Sequence, residues 1–189
     1  MSSLKKSIKK GKDGTITYHK RGKKDMVTKT FRKNKNRDSI EQEIYFMKKA
    51  HRLGISPKIH EINVDNDKPY IVMDELGKTL VEYINKTGKL SQSHQRQIIS
   101  ILDTLDKHKI FHGDVSPLNF MSGKGDDSER LYIIDFGMAK KMDKAFIEQH
   151  GKNANVKLGI TVFILKIREQ HPAFMPELLL KKVHSTFVL

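Results

Sequence analysis

Between residues 38 and 52 the apolar positions Ile40, Ile44, Met47 and Ala50 recur at steps of three and four, and Gly54 and Pro57 close the stretch. That spacing predicts an amphipathic helix capped by Asp38 or Ser39. Upstream, the β-branched residues Ile16, Thr17, Val27 and Thr28 are interrupted by Gly11, Gly14 and Gly22, which predicts two or three short strands over 8–31. Two further strands are expected over 58–64 and 69–73, joined by a polar turn at 65–68. Helices then dominate. A short one is expected over 80–84, a longer one over 91–108 with Ile98, Ile101, Leu102 and Leu105 on one face, and a helical pattern from Lys144 onward, clearest over 156–169. Between them, 111–119 reads as a loop, while Phe120 and Met121 pair with 131–134 across the polar turn 122–130. With no internal repeat, low-complexity tract or long linker, this order predicts an α+β layout: a strand-rich N-terminal part followed by a helical C-terminal part.

Composition changes this picture in two ways. The chain of 189 residues has no cysteine, which excludes disulfide and thiolate-metal chemistry. No apolar run approaches the roughly 20 residues needed to cross a bilayer, so no membrane partner is expected. The first twelve residues are basic but lack the apolar core of a secretory signal, which points to an intracellular location, cytoplasmic or nuclear. The net charge of +14 is concentrated early, with fourteen lysines and arginines over 5–37 against Asp13 and Asp25. Such a face attracts polyanions, RNA or an acidic partner among them, or serves simply as a solvated surface. Only Tyr18 and Phe31 lie among these charges, so base-stacking platforms are sparse.

The candidate chemistry lies in two short motifs. One is His112-Gly113-Asp114-Val115-Ser116-Pro117-Leu118-Asn119, and the other is Asp135-Phe136-Gly137 after the apolar run 131–134. Together they set an aspartate, an asparagine five residues on, and a second aspartate after a strand. Phosphoryl transfer needs these group types: one carboxylate to orient and deprotonate the acceptor, and an amide and a carboxylate to hold magnesium. His108 and His112 are four apart, but no further ligand accompanies them, and zinc is not expected.

At these residues the chain resembles the protein-kinase-like superfamily, the first motif standing for the catalytic loop and the second for the magnesium-binding loop. The resemblance implies a two-lobed kinase-like fold occupying 1–189 as one domain: an N-lobe over about 1–73, a hinge over about 74–78 and a truncated helical C-lobe over about 79–189. It implies ATP and Mg2+ as cofactors and a protein substrate. Asp114 then takes the role of catalytic base, and Asn119 and Asp135 those of magnesium ligands. The stretch 8–16 is similar to the glycine-rich loop, with Ile8, Gly11, Gly14 and Ile16 around the nucleotide and Lys9 where the first glycine is expected. Met26-Val27-Thr28-Lys29 resembles the strand that supplies a phosphate-binding lysine, Lys29, with Val27 over the adenine. Glu43, preferred to Glu41 by its spacing to the following apolar residues, is the implied partner of Lys29. Met73 corresponds to the gatekeeper, Asp74 and Leu76 to hinge positions, and Met121 to the residue beneath the adenine. An ordinary buried strand and turn would match 70–76 equally well, and Met121 fits a plain core position too.

The departures from the family pattern carry information. Gly113 stands where regulated kinases carry an arginine that pairs with an activation-loop phosphate, so activity independent of such phosphorylation is expected. Ser116 replaces a lysine that many serine/threonine kinases place near the transferred phosphate, which predicts poorly compensated charge and slow catalysis. Met175-Pro176-Glu177 resembles the motif that ends the activation segment but follows the helix it should precede. With 52 residues after Gly137, the economy is similar to the small kinase of the KEOPS complex and to compact viral or effector kinases, and more distantly to RIO-type kinases. The leading expectation is a minimal serine/threonine protein kinase. The alternatives are a weakly active nucleotide-binding scaffold or ATPase with a basic RNA- or partner-binding face, and a small-molecule kinase.

Overall fold

The computed structural model describes residues 8–10 and 14–187, and the side chains over 14–186. The chain divides into two compact units, Met1–Leu76 and Gly77–Leu189.

The first unit is built on a five-stranded antiparallel sheet. Its strands are β1 (Ile8–Lys10), β2 (Gly14–Arg21), β3 (Lys24–Phe31), β4 (Ile59–Asn63) and β5 (Tyr70–Asp74), in the order β1-β2-β3-β5-β4. Strand β3 is central in this sequence of pairings, with Met26, Val27 and Phe31 buried on it and Ile71, Val72 and Met73 buried on β5. Helix α1 (Arg37–Arg52) separates β3 from β4 and buries Ile40, Ile44, Phe46, Met47 and Ala50, the face expected from the three- and four-residue spacing. Its start differs from expectation. Asn36, not Asp38 or Ser39, is the cap, because its backbone is extended and its side-chain Oδ1 accepts from Asp38 N at 2.8 Å. Asp38 instead sits in the first turn, where a carboxylate favours the helix dipole.

The second unit opens with α2 (Leu80–Thr87), three residues longer than the periodicity indicated. A reciprocal capping box of Thr79 and Glu82 starts it, and left-handed Gly88 ends it. Helix α3 (Gln92–Lys107), capped by Ser91, buries Ile98, Ile101, Leu102 and Leu105. The strand β6 (Ile110–Phe111) leads into the loop, a single 3-10 turn spans Pro117–Asn119, and β7 (Phe120–Ser122) pairs with β8 (Leu131–Ile133) as a hairpin. Strand β9 (Lys140–Lys141) pairs back onto β6, a contact of two residues a side with no signature of its own. Helix α4 (Lys144–His150) follows, then a π-helical turn at Asn155–Gly159 running into α5 (Ile160–Arg168), and finally α6 (Glu177–Phe187). Met175, Pro176 and Glu177 stand at the start of α6, after α5. The core joins Phe120, Ile133 and Phe136 to Ile160 and Phe163, all fully buried. The architecture is thus α+β, a strand-rich N-terminal unit and a helical C-terminal one. No helix among the described residues is long and apolar enough to cross a membrane.

Candidate active site

In the first unit, antiparallel pairing sets Ile16 opposite Lys29 and Val27 opposite Met73. Directly opposed residues share a face, and Val27 and Lys29 are two apart on one strand, so all four line one face of the sheet. Lys29 Nζ donates to Glu43 Oε1 at 2.6 Å. Glu43 is 1% exposed, and its other oxygen accepts from Lys35 Nζ at 2.7 Å. One buried carboxylate thus serves two lysines, both also within 5.5 Å of the Phe31 ring centre. Glu41 faces outward and pairs with Arg37. Lys35 was missed from the sequence, where it is one cation in a basic run.

The other first-unit positions divide. A Cβ at Gly14 would collide with the Thr30 carbonyl oxygen, so the absence of a side chain there is already required by the β2–β3 pairing. Asp74 donates its backbone N–H to Lys58 O at 3.0 Å, and its carboxylate meets His60 Nε2 at 2.6 Å. Leu76 is the last residue of the unit. Gly11 and the side chain of Ile8 lie outside the described residues.

In the second unit the loop after β6 is held from within. His112 is fully buried; Asp114 N donates to its Nδ1 at 3.3 Å, and its Nε2 lies 3.1 Å from Ile134 O. These partners require the neutral tautomer protonated on Nε2, and burial indeed holds its pKa below the ordinary value. Asp114 is bonded at both oxygens. Asn119 Nδ2 donates to Oδ2 and to the Asp114 carbonyl, each at 2.9 Å, and Lys166 Nζ donates to Oδ1 at 2.8 Å. Burial alone would raise the Asp114 pKa, but the bond and charge of Lys166, with the bond from Asn119, carry it below the usual carboxylate range.

Asn119 is also tied to the second motif. Ile134 N donates to Asn119 O at 2.9 Å, which extends the β7–β8 register of Phe120 opposite Ile133 by one residue and leaves Asp135 next along the chain. Asp135 adopts a left-handed backbone, φ 64°, unusual for a residue with a side chain. With its nitrogen turned to Asp114, the Asn119 amide directs Oδ1 away. An amide oxygen and a carboxylate are both donor types that magnesium takes. Met121 lies on β7, half-buried, opposite Tyr132 and bridged to Thr79.

Two supporting groups were invisible in the sequence. Asn155, fully buried in the π-helical turn, accepts from His112 N at 2.9 Å and donates to Ile110 O and Asp106 Oδ1, each at 2.7 Å. Asp106 on α3 also accepts from the N–H groups of Asn155 and Val156. Burial raises the Asp106 pKa, opposed by these donors. The second group is Lys166, on α5. It amends the expectation drawn from Ser116: the loop has no lysine of its own, yet Asp114 has one from a helix 52 residues away in sequence.

Comparison with known proteins agrees with these motifs. Residues 3–154 match the protein kinase domain. The chain is 34% identical over 101 residues to casein kinase 1-like protein HD16 of Oryza sativa subsp. japonica, covering 50% of this chain and 14% of that protein. It is 30% identical over 118 residues to the carbon catabolite-derepressing protein kinases of Candida tropicalis and Candida albicans, covering 60% of this chain and 18% of each. The chain spans less than a fifth of the length of these relatives. With the match to the domain extending over well more than half its residues, the chain belongs to the protein kinase family.

Proposed function

We propose that the chain is a minimal serine/threonine protein kinase, its two units acting as the N-lobe (about 1–73), hinge (about 74–78) and C-lobe (about 79–189) of one catalytic domain. The observation that carries this reading is the two-point binding of Asp114 by Asn119, which aligns one carboxylate for a proton and leaves one amide oxygen for a cation. Bound magnesium ATP supplies the transferred phosphoryl group and the charge that neutralises its oxygens. Asp114 orients the acceptor hydroxyl and takes its proton as the new O–P bond forms and the bond to the β-phosphate oxygen breaks, leaving ADP. Asn119 and Asp135 would hold the cation. Lys29, kept in place by Glu43, would contact the α- and β-phosphates, while Ile8, Gly11, Gly14, Ile16, Val27, Met73, Asp74, Leu76 and Met121 would contribute to the nucleotide site.

The test is transfer from radiolabelled ATP to the protein itself and to a generic acceptor protein, with Asp114→Ala and Asp135→Ala as controls. Transfer abolished by both changes, with label on serine or threonine, supports the kinase. Tight ATP binding without transfer rejects it in favour of a nucleotide-binding scaffold. A basic face favours that second reading: Lys20, Arg21, Lys23 and Lys24 are exposed around the β2–β3 turn. RNA or an acidic partner bound there gives a steep salt dependence that weakens when Lys20, Arg21, Lys23 and Lys24 are neutralised.

A further inference from the structure

Helix α5 is registered to the loop by aromatic packing. Phe163 meets Phe120, the residue after Asn119, edge to face with ring centres 5.7 Å apart. Lys166 lies three residues further along α5, and positions three apart project from neighbouring points of a helix surface. A packed ring on this helix thus fixes the origin of the lysine that reaches Asp114. Lys166 borders a cavity of about 310 Å³ whose walls include Ser116, Leu118, Ile84 and His171.

An ordinary surface ion pair has two mobile partners and contributes little. Here one partner is already immobile. Asn119 holds Asp114 Oδ2, so a donor on Oδ1 settles the remaining rotation of the carboxylate. Residues 112–119 contain no lysine or arginine, and Ser116 Oγ accepts from Leu118 N. The positive charge beside Asp114 therefore comes from α5. A cation there offsets the repulsion between a carboxylate and an incoming phosphoryl group, the interaction that phosphoryl transfer most needs compensated.

We infer that Lys166 is a positioning residue for phosphoryl transfer, fixing the Asp114 carboxylate and supplying from α5 the charge that the loop lacks. The inference rests on Asp114 being the base. Steady-state transfer is measured on the full chain with magnesium ATP and dephosphorylated casein as acceptor, for wild type, Asp114→Asn, Lys166→Gln, Lys166→Met and Lys166→Arg. Melting temperatures identify the folded variants. Lys166→Gln and Lys166→Met should each lose about 100-fold in kcat, the scale of a misplaced or uncompensated catalytic group, with KM for ATP within about twofold. Lys166→Arg should retain most of the rate. Wild-type kcat in a folded Gln or Met variant, or an arginine variant as slow as glutamine, overturns the inference. If Asp114→Asn is inactive in that case, the base reading survives alone. Full activity in Asp114→Asn, or no transfer by wild type, rejects the base reading and this one with it.

Discussion

Glu43 and Glu41 are two residues apart on one helix, yet their environments differ in kind. Glu43 is buried between Lys29 and Lys35, whereas Glu41 pairs with Arg37 at the surface, both side chains at least half exposed. Removing one partner of a buried ionic cluster leaves charge without compensation, while an exposed pair is nearly neutral in effect. Glu43→Ala should therefore cost about 3 kcal/mol, and Glu41→Ala less than about 1 kcal/mol, measured by urea denaturation. Equal losses would show that the burial of Glu43 does not matter energetically. Gly113 is constrained differently. Its φ is +81°, and a Cβ there would collide with the Met138 carbonyl oxygen. The arginine found at this position in regulated kinases cannot enter without moving the β6–β9 region. Gly113→Arg should destabilise by about 2–4 kcal/mol, combining a left-handed backbone with a steric clash. A stable Gly113→Arg protein with an unchanged urea midpoint would refute this.

At the scale of elements, the same kind of burial makes one helix sensitive to pH. His94 on α3 is 8% exposed, its ring set edge to face against Tyr83 at 4.6 Å, and its Nδ1 is buried without a hydrogen-bond partner. Burial lowers its pKa, with Glu129 opposing. A depressed pKa means that folding favours the neutral ring, so this stability is present above the unfolded value of about 6.5 and is lost as pH falls through the folded one. Asp106 on the same helix has a raised pKa, and its contribution runs the opposite way, weakening as pH rises through the folded value. Replacing His94 by leucine should therefore flatten the fall in melting temperature as pH drops below about 6.5; an identical fall in both proteins would exclude His94 as its source. The element pattern itself was largely legible. Three- and four-residue spacing located the buried faces of α1 and α3, and β-branched runs broken by glycine located the sheet. What escaped was non-local or too short to have a period: the cap at Asn36, the two-residue β6–β9 pairing, and Asn155 and Lys166, whose partners lie 43 and 52 residues away. Lys29 and Glu43 stood out because family spacing singles them out; Lys35 did not, because charge alone does not distinguish a buried lysine from its exposed neighbours.

For the whole molecule the dominant property is charge. A net +14 over 189 residues means that each compact unit folds against the repulsion of its own cations, relieved in part by surface pairs such as Lys20–Asp25 and Arg21–Glu61. Those pairs are exposed and weak, so screening them costs little, while screening the general repulsion gains more. The Debye length falls from about 30 Å at 0.01 M salt to about 10 Å at 0.1 M, from the width of a small domain to a few side chains. Melting temperature should therefore rise across this range, whereas a protein held together by surface ion pairs would lose stability. Multivalent anions should act at lower concentration than chloride because they gather at the same basic face. The discriminating measurement is a thermal melt series in sodium chloride at constant pH. A melting temperature that drops as salt is added would mean that specific ion pairs, the Glu43 cluster and Lys166–Asp114 foremost, outweigh the general repulsion. In the expected case the basic face is a standing cost to stability, and a ligand that neutralises it raises the melting point by mass action as well as by screening.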